Sequence, residues 1–203
     1  MSEITLTPAE FTLVKFDAGR VRELIAGALA DTDFPTEVDV SVDVDEVLPH
    51  PLTASVVEIV DGVPHLWFAG GCFESPQRQT GLSVDNTKVE LASALFRAQD
   101  RLKGGFESAP ADDALTDRQR TLWDTYAEAR AASIGYPVRV QRRRYVFRLY
   151  AGFNDVADAE FDRLWAGSTL DWAELEACAQ RLAEADTRPE TKRSLRRESL
   201  RAS

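Results

Sequence analysis

The chain has 203 residues, a hydrophobic fraction of 44 % and a formal net charge of −10 at pH 7. That length and apolar content suit one folded core and exclude wholesale disorder, and no apolar run approaches the roughly 20 residues that a membrane-spanning helix needs. The acid excess disfavours general adhesion to nucleic acid or anionic lipid.

The first residues, MSEITLTPAEF, are acidic where a secretory signal would be basic, and no apolar stretch follows. The expected location is cytoplasmic. Cys72 and Cys178 are too few for a disulfide framework, which fits a reducing compartment. An extra strand is expected over Phe11–Val14. Asp17 is a suitable N-cap for a helix to about Ala30, with Val21, Leu24, Ile25, Ala28 and Leu29 as its apolar stripe. Val38, Val40, Val42 and Val44 then alternate with Asp39, Ser41, Asp43 and Asp45, the pattern of a strand with one buried and one wet face.

Leu48-Pro49-His50-Pro51 reads as a rigid connector. Ser55–Val60 and Val63–Ala69 are two apolar runs joined by Asp61-Gly62, a strong hairpin signal. That turn pairs Val60 with Val63, Glu58 with His65 and Val56 with Trp67. After Gly70-Gly71, residues 72–82 read as a polar loop. A helix follows to Lys103, capped by Ser83 or Asp85 and striped by Leu91, Leu95, Ala98 and Leu102.

Thr116 and Gln119 form a capping-box pattern for the next helix. Val138–Tyr150 reads as a long strand whose apolar parity switches near Arg142–Arg144, implying a bulge. Asn154 or Asp155 starts a short helix, and Ser168 with Asp171 starts another. Thr187 with Glu190 gives a third capping box. Residues 186–203 form a basic tail, marginally helical or disordered, behind a single domain over 1–185. The expected fold is α+β: a mainly antiparallel sheet of about four strands, in the order α-β-β-β-α-α-β-α-α, with helices mostly on one face.

Side chains with chemistry are scarce. His65, Glu58, Cys72 and Glu74 include acceptable zinc ligands, but no recognised ligand spacing joins them, and no metal or other cofactor is expected. Cys72 with His65 as its base is the weak candidate for a nucleophile; the plainer reading is a small buried residue at a strand end. Asp39, Asp43, Asp45 and Glu46 lack the glycine that a calcium loop requires.

Arg142, Arg143 and Arg144 interleave with Tyr145, Phe147 and Tyr150, as in single-strand nucleic-acid binders. The acidic body speaks against that use and for pairing of the arginines with Asp39, Asp43 or Asp45. The same three arginines are the weak candidates for holding a ligand or partner.

The strand-then-helix order is similar to that of metallopeptidases whose sheet precedes an active-site helix. The H-E-x-x-H signature is missing, because Val84–Lys103 contains no histidine. The reading is an intracellular binding or interaction domain for a protein or small-molecule partner, not for a membrane. The alternative is a small hydrolase-like enzyme, or a catalytically degenerate relative of the metallopeptidase type, with its site near His65, Glu58 and Cys72.

Overall fold

The computed structural model describes residues 3–75, 77–103, 105–167 and 169–186. The expected third capping box, and all of the basic tail beyond Asp186, lie outside the described residues. Strand β1 (Ile4–Thr7), helix α1 (Ala18–Asp31) and strand β2 (Val40–Asp45) form a crossover unit in which β1 and β2 run parallel. Strands β3 (Ser55–Val60) and β4 (Val63–Ala69) form the expected hairpin in the expected register. Asp61 and Gly62 both take positive φ, 51° and 82°, as a two-residue hairpin turn requires.

The sheet order is β1-β2-β4-β3, and β4 runs parallel to β2. The sheet is therefore mixed, with two parallel pairs and one antiparallel pair, and the mainly antiparallel expectation is corrected. Alternation along β2 reports which face is buried; it carries no information about the direction of the neighbouring strand. The expected strand at Phe11–Val14 is also corrected. There the backbone N–H groups of Thr12, Leu13 and Val14 all donate to Glu46 Oε2, at 2.8, 2.6 and 3.2 Å. One carboxylate satisfies the donors that a ladder would have satisfied.

A small ribbon of β5 (Glu74–Ser75) and β6 (Arg78–Leu82) occupies what reads as a loop. Helix α2 (Val84–Leu102) follows, capped by Ser83. Helix α3 (Asp117–Ser133) carries the full Thr116/Gln119 capping box. Helices α4 (Val140–Ala151), α5 (Asp155–Trp165) and α6 (Trp172–Ala185) complete the described chain, the last two capped by Asn154 and Asp171.

The expected strand over Val138–Tyr150 is thus a helix. Phe147 and Ala151 are buried four residues apart, and Gly152 follows at φ 123°, a glycine-only helix exit. The parity switch was the trace of a 3.6-residue period, not of a bulge.

Helix α2 is the shared wall of the molecule. Its Leu91, Leu95 and Ala98 pack with Val21, Ile25, Val42, Leu66 and Phe68 between the sheet and α1. Its Ala92 and Phe96 meet Ala127 and Ala131 of α3, where small side chains allow close approach. Beyond α3, Trp123, Phe147, Phe161, Trp172 and Leu182 centre a second core among the last four helices.

Asp112 ties these layers together. Its buried carboxylate takes Arg97 and Arg101 of α2, with Arg120 of α3 at 3.6 Å, and accepts the Val57 N–H of β3 at 3.0 Å. Burial alone would raise its pKa; the guanidinium groups, Arg97 foremost, override that and hold it low. No described helix is long and apolar enough to cross a membrane.

Candidate functional site

The sequence candidates do not converge. Glu58 and His65 are exposed partners across the hairpin, on the sheet face that carries no helices. Cys72 is buried past the end of β4, and its thiol donates to the Ala54 carbonyl at 3.3 Å. Burial pushes that thiol far above its ordinary range, with Glu90 adding to the effect, which opposes formation of a thiolate. Glu74 is buried and accepts from the His50 and Thr80 N–H groups at 3.4 Å each.

Gly70-Gly71 does not open a path for a ligand. A Cβ on Gly71 would lie 2.2 Å from the Leu52 carbonyl oxygen and 2.7 Å from the His50 nitrogen. The glycine lets the proline-rich connector seat against the strand end, and this carries His50 alongside Cys72.

Two of the three arginines pair internally, with partners on helices, while Arg142 is exposed and unpaired among the described residues. Arg143 pairs with Glu128 of α3, and Arg144 pairs with Asp162 of α5 and lies over the Phe161 ring. Arg148 makes a bidentate pair with Asp158, at 2.7 and 2.6 Å. The strand acids expected to receive them are used locally. Asp39 accepts from Glu3 N and Asp45 from Val47 N. Asp43 is exposed and is raised by partial burial and by Asp45. An arginine on a helix at position 143 cannot reach across the sheet to β2, which is why the expected pairs fail.

Two adjoining cavities separate the start of β3 and α2 from α3 and α4. The smaller is about 180 Å³ and includes His50, Cys72, Glu90, Glu128, Arg139 and Arg142 in its wall. The larger is about 440 Å³ and includes Thr53, Ser55, Arg120, Asp124 and Tyr150. Cys72, Glu90, Arg143 and Thr53 line both.

Glu90 is the group that sequence reasoning missed. It is half-buried and lines both cavities. Burial first, and then Glu128, push its pKa up from 4.5 to about 7, with Arg143 opposing and Arg142 opposing more weakly. No described residue donates a hydrogen bond to it. Its neighbours are already engaged: Glu128 by Arg143, and Asp124 by Arg97 at 3.3 Å. The side chains of Arg139 and Arg142 make no hydrogen bond or ion pair within 4 Å among the described residues. The smaller cavity is therefore lined by one free carboxyl, Glu90, and by two exposed, unpaired arginines, Arg139 and Arg142.

No family model matches this chain, and neither does any curated protein or solved structure. The functional reading rests on this geometry.

Proposed function

We propose that the protein is a binding module for a small polar molecule, held in the paired cavities around Glu90. The observation that carries this reading is the half-buried Glu90 carboxyl, without a hydrogen-bond partner and lining both cavities. A carboxyl partly withdrawn from water with no donor beside it is penalised, and a bound donor relieves that penalty. A cleft with a few converging polar groups and a perturbed carboxyl is the usual form of a ligand site. Peptide addition to the edge of β3 is a poorer candidate, because Val57 N–H and the Ser55 carbonyl are engaged by Asp112 and Arg120.

Native mass spectrometry of the full chain captured from a cell extract tests this. The expected result is a retained small molecule that is lost in the Glu90→Gln variant. A retained mass indifferent to that substitution would defeat the reading.

One observation favours a hydrolase-like enzyme as the second reading. A carboxyl titrating at about 7 is suited to general acid–base work near neutral pH. In this reading Glu90, not Cys72 or His65, moves the proton. Where an H-E-x-x-H signature would place histidines around Glu90, this chain has Val89 and Ser93, so a metal-bound water is not available from that motif. Turnover of a chromogenic ester and amide panel, with a pH midpoint near 7 and loss in Glu90→Gln, would favour the enzyme over the module.

A further inference from the structure

The charges in the smaller cavity specify more than polarity. Glu128 and Arg143 neutralise each other, and the Cys72 thiol is uncharged. What remains is Glu90 on one wall, with Arg139 and Arg142 on another. The arginine end is further biased toward anions. The first turn of α4 contains no acidic residue, and its N-cap, Arg139, supplies no side-chain cap, so the helix dipole there is uncompensated.

A wholly anionic ligand would meet Glu90 with nothing to offer it. A wholly cationic one would meet Arg139 and Arg142. A neutral one would satisfy neither the Glu90 carboxyl nor the exposed guanidinium groups of Arg139 and Arg142.

Resting on the cavity reading above, we propose that the ligand is a zwitterion of the amino-acid type, a free α-amino acid or a short unblocked peptide. Its ammonium group is received by Glu90 and its carboxylate by Arg142 and Arg139. The ammonium supplies the donor that Glu90 lacks. The carboxylate has the planar shape that a guanidinium fork grips through two hydrogen bonds. The larger cavity, which shares Glu90 and Thr53, has room for the remainder of a peptide. The site is one of recognition, and no bond is made or broken in it.

The test uses the full chain and three probe sets: free amino acids with free dipeptides, the same compounds N-acetylated, and the same compounds C-amidated. The readout is the ligand-induced rise in melting temperature. The expected result is a rise with members of the free set, abolished by either blocking group. Glu90→Gln should abolish the response to the free set, and Arg142→Gln should reduce it at least tenfold in apparent affinity. Glu90→Gln is isosteric and removes an unfavourable buried charge, so misfolding does not confound it.

A rise given only by the amidated or only by the acetylated set, and removed by Glu90→Gln or Arg142→Gln, overturns the zwitterion while leaving the cavity as a ligand site. Equal responses to free and blocked compounds overturn it as well. Silence from all three sets overturns the zwitterion, and a retained small molecule in the mass-spectrometric experiment would show whether the cavity reading survives it.

Discussion

Arg143 of α4 is committed to Glu128 of α3, and that pair leaves Glu90 of α2 without a cation of its own. The three residues sit where three helices meet. Two neutralise each other, and the third faces open volume with its carboxyl pushed toward protonation. The proposed chemistry of the cavity follows from this imbalance.

Glu90 should make stability pH-dependent, with a definite sign. Its folded pKa is raised, to about 7 from 4.5. The folded state thus holds the proton more tightly than the unfolded chain. This contribution is fully present below about pH 4.5 and is lost as pH rises to about 7. The facing groups are Glu128 and Asp124 on α3, Arg142 and Arg143 on α4, and Cys72 with His50 from the sheet side. Above pH 7, Glu90→Gln should be more stable than the wild type by on the order of 2–3 kcal/mol. Below pH 4.5 the two should converge. Urea denaturation of both proteins across pH 4–8 measures this, and parallel curves would contradict it.

The Arg143–Glu128 pair should be energetically coupled. Each alanine substitution should destabilise, and the double mutant should fall short of additivity by about 1–3 kcal/mol. Arg143→Ala combined with Asp43→Ala should be additive within about 0.5 kcal/mol, because these residues share no partner. Arg143→Ala should also raise the Glu90 midpoint further, since it removes the cation that lowers it.

Much of the fold is legible in the sequence where local chemistry decides it. The α1 stripe, the Asp61-Gly62 hairpin and its register, and the caps Ser83, Thr116, Asn154 and Asp171 rest on neighbours within a few residues. Sheet direction does not, because β2 meets β4 across the whole of residues 46–62, a connector and the first hairpin strand. For α4, strand-like β-branched and aromatic residues concealed a helix that Gly152 and the spacing of Phe147 and Ala151 announce. The site was hidden by a different effect. Glu90, Arg97 and Arg101 lie along one line of α2, seven and four residues apart, and such a charged line reads as a solvated face. Here α3 covers it, and burial of that face depends on tertiary packing alone.

Asp112 should be the costliest single carboxylate in the chain. Asp112→Ala leaves Arg97 buried beside a lost partner and orphans the Val57 N–H. Breaking a buried pair from one side costs about 3–5 kcal/mol. Its depressed pKa gives the opposite pH sign to Glu90. Its contribution is present above the ordinary 3.8 and is lost as pH falls through its lower folded value. Chemical denaturation of the variant is the check, and a loss under about 1 kcal/mol would refute the caged geometry.

Neither cysteine should react in the folded protein. Burial raises the Cys72 thiol, and burial with Glu160 raises that of Cys178 to about 12. Labelling by a disulfide reagent at pH 8 should be slow and should become complete on unfolding. Rapid labelling of one native thiol would revive Cys72 as a chemical group.

The central claim is that the functional site surrounds Glu90 and not the exposed Glu58–His65 pair or the outer face of α4. The most direct measurement follows the carboxyl carbon of Glu90 and the ring of His65 by NMR while the free amino acid and dipeptide probes are added. The account predicts a Glu90 midpoint near 7 that moves downward as ligand binds, with His65 unaffected. A Glu90 resonance titrating near 4.5 and indifferent to every probe, with changes confined to His65 or to Tyr145, would contradict it.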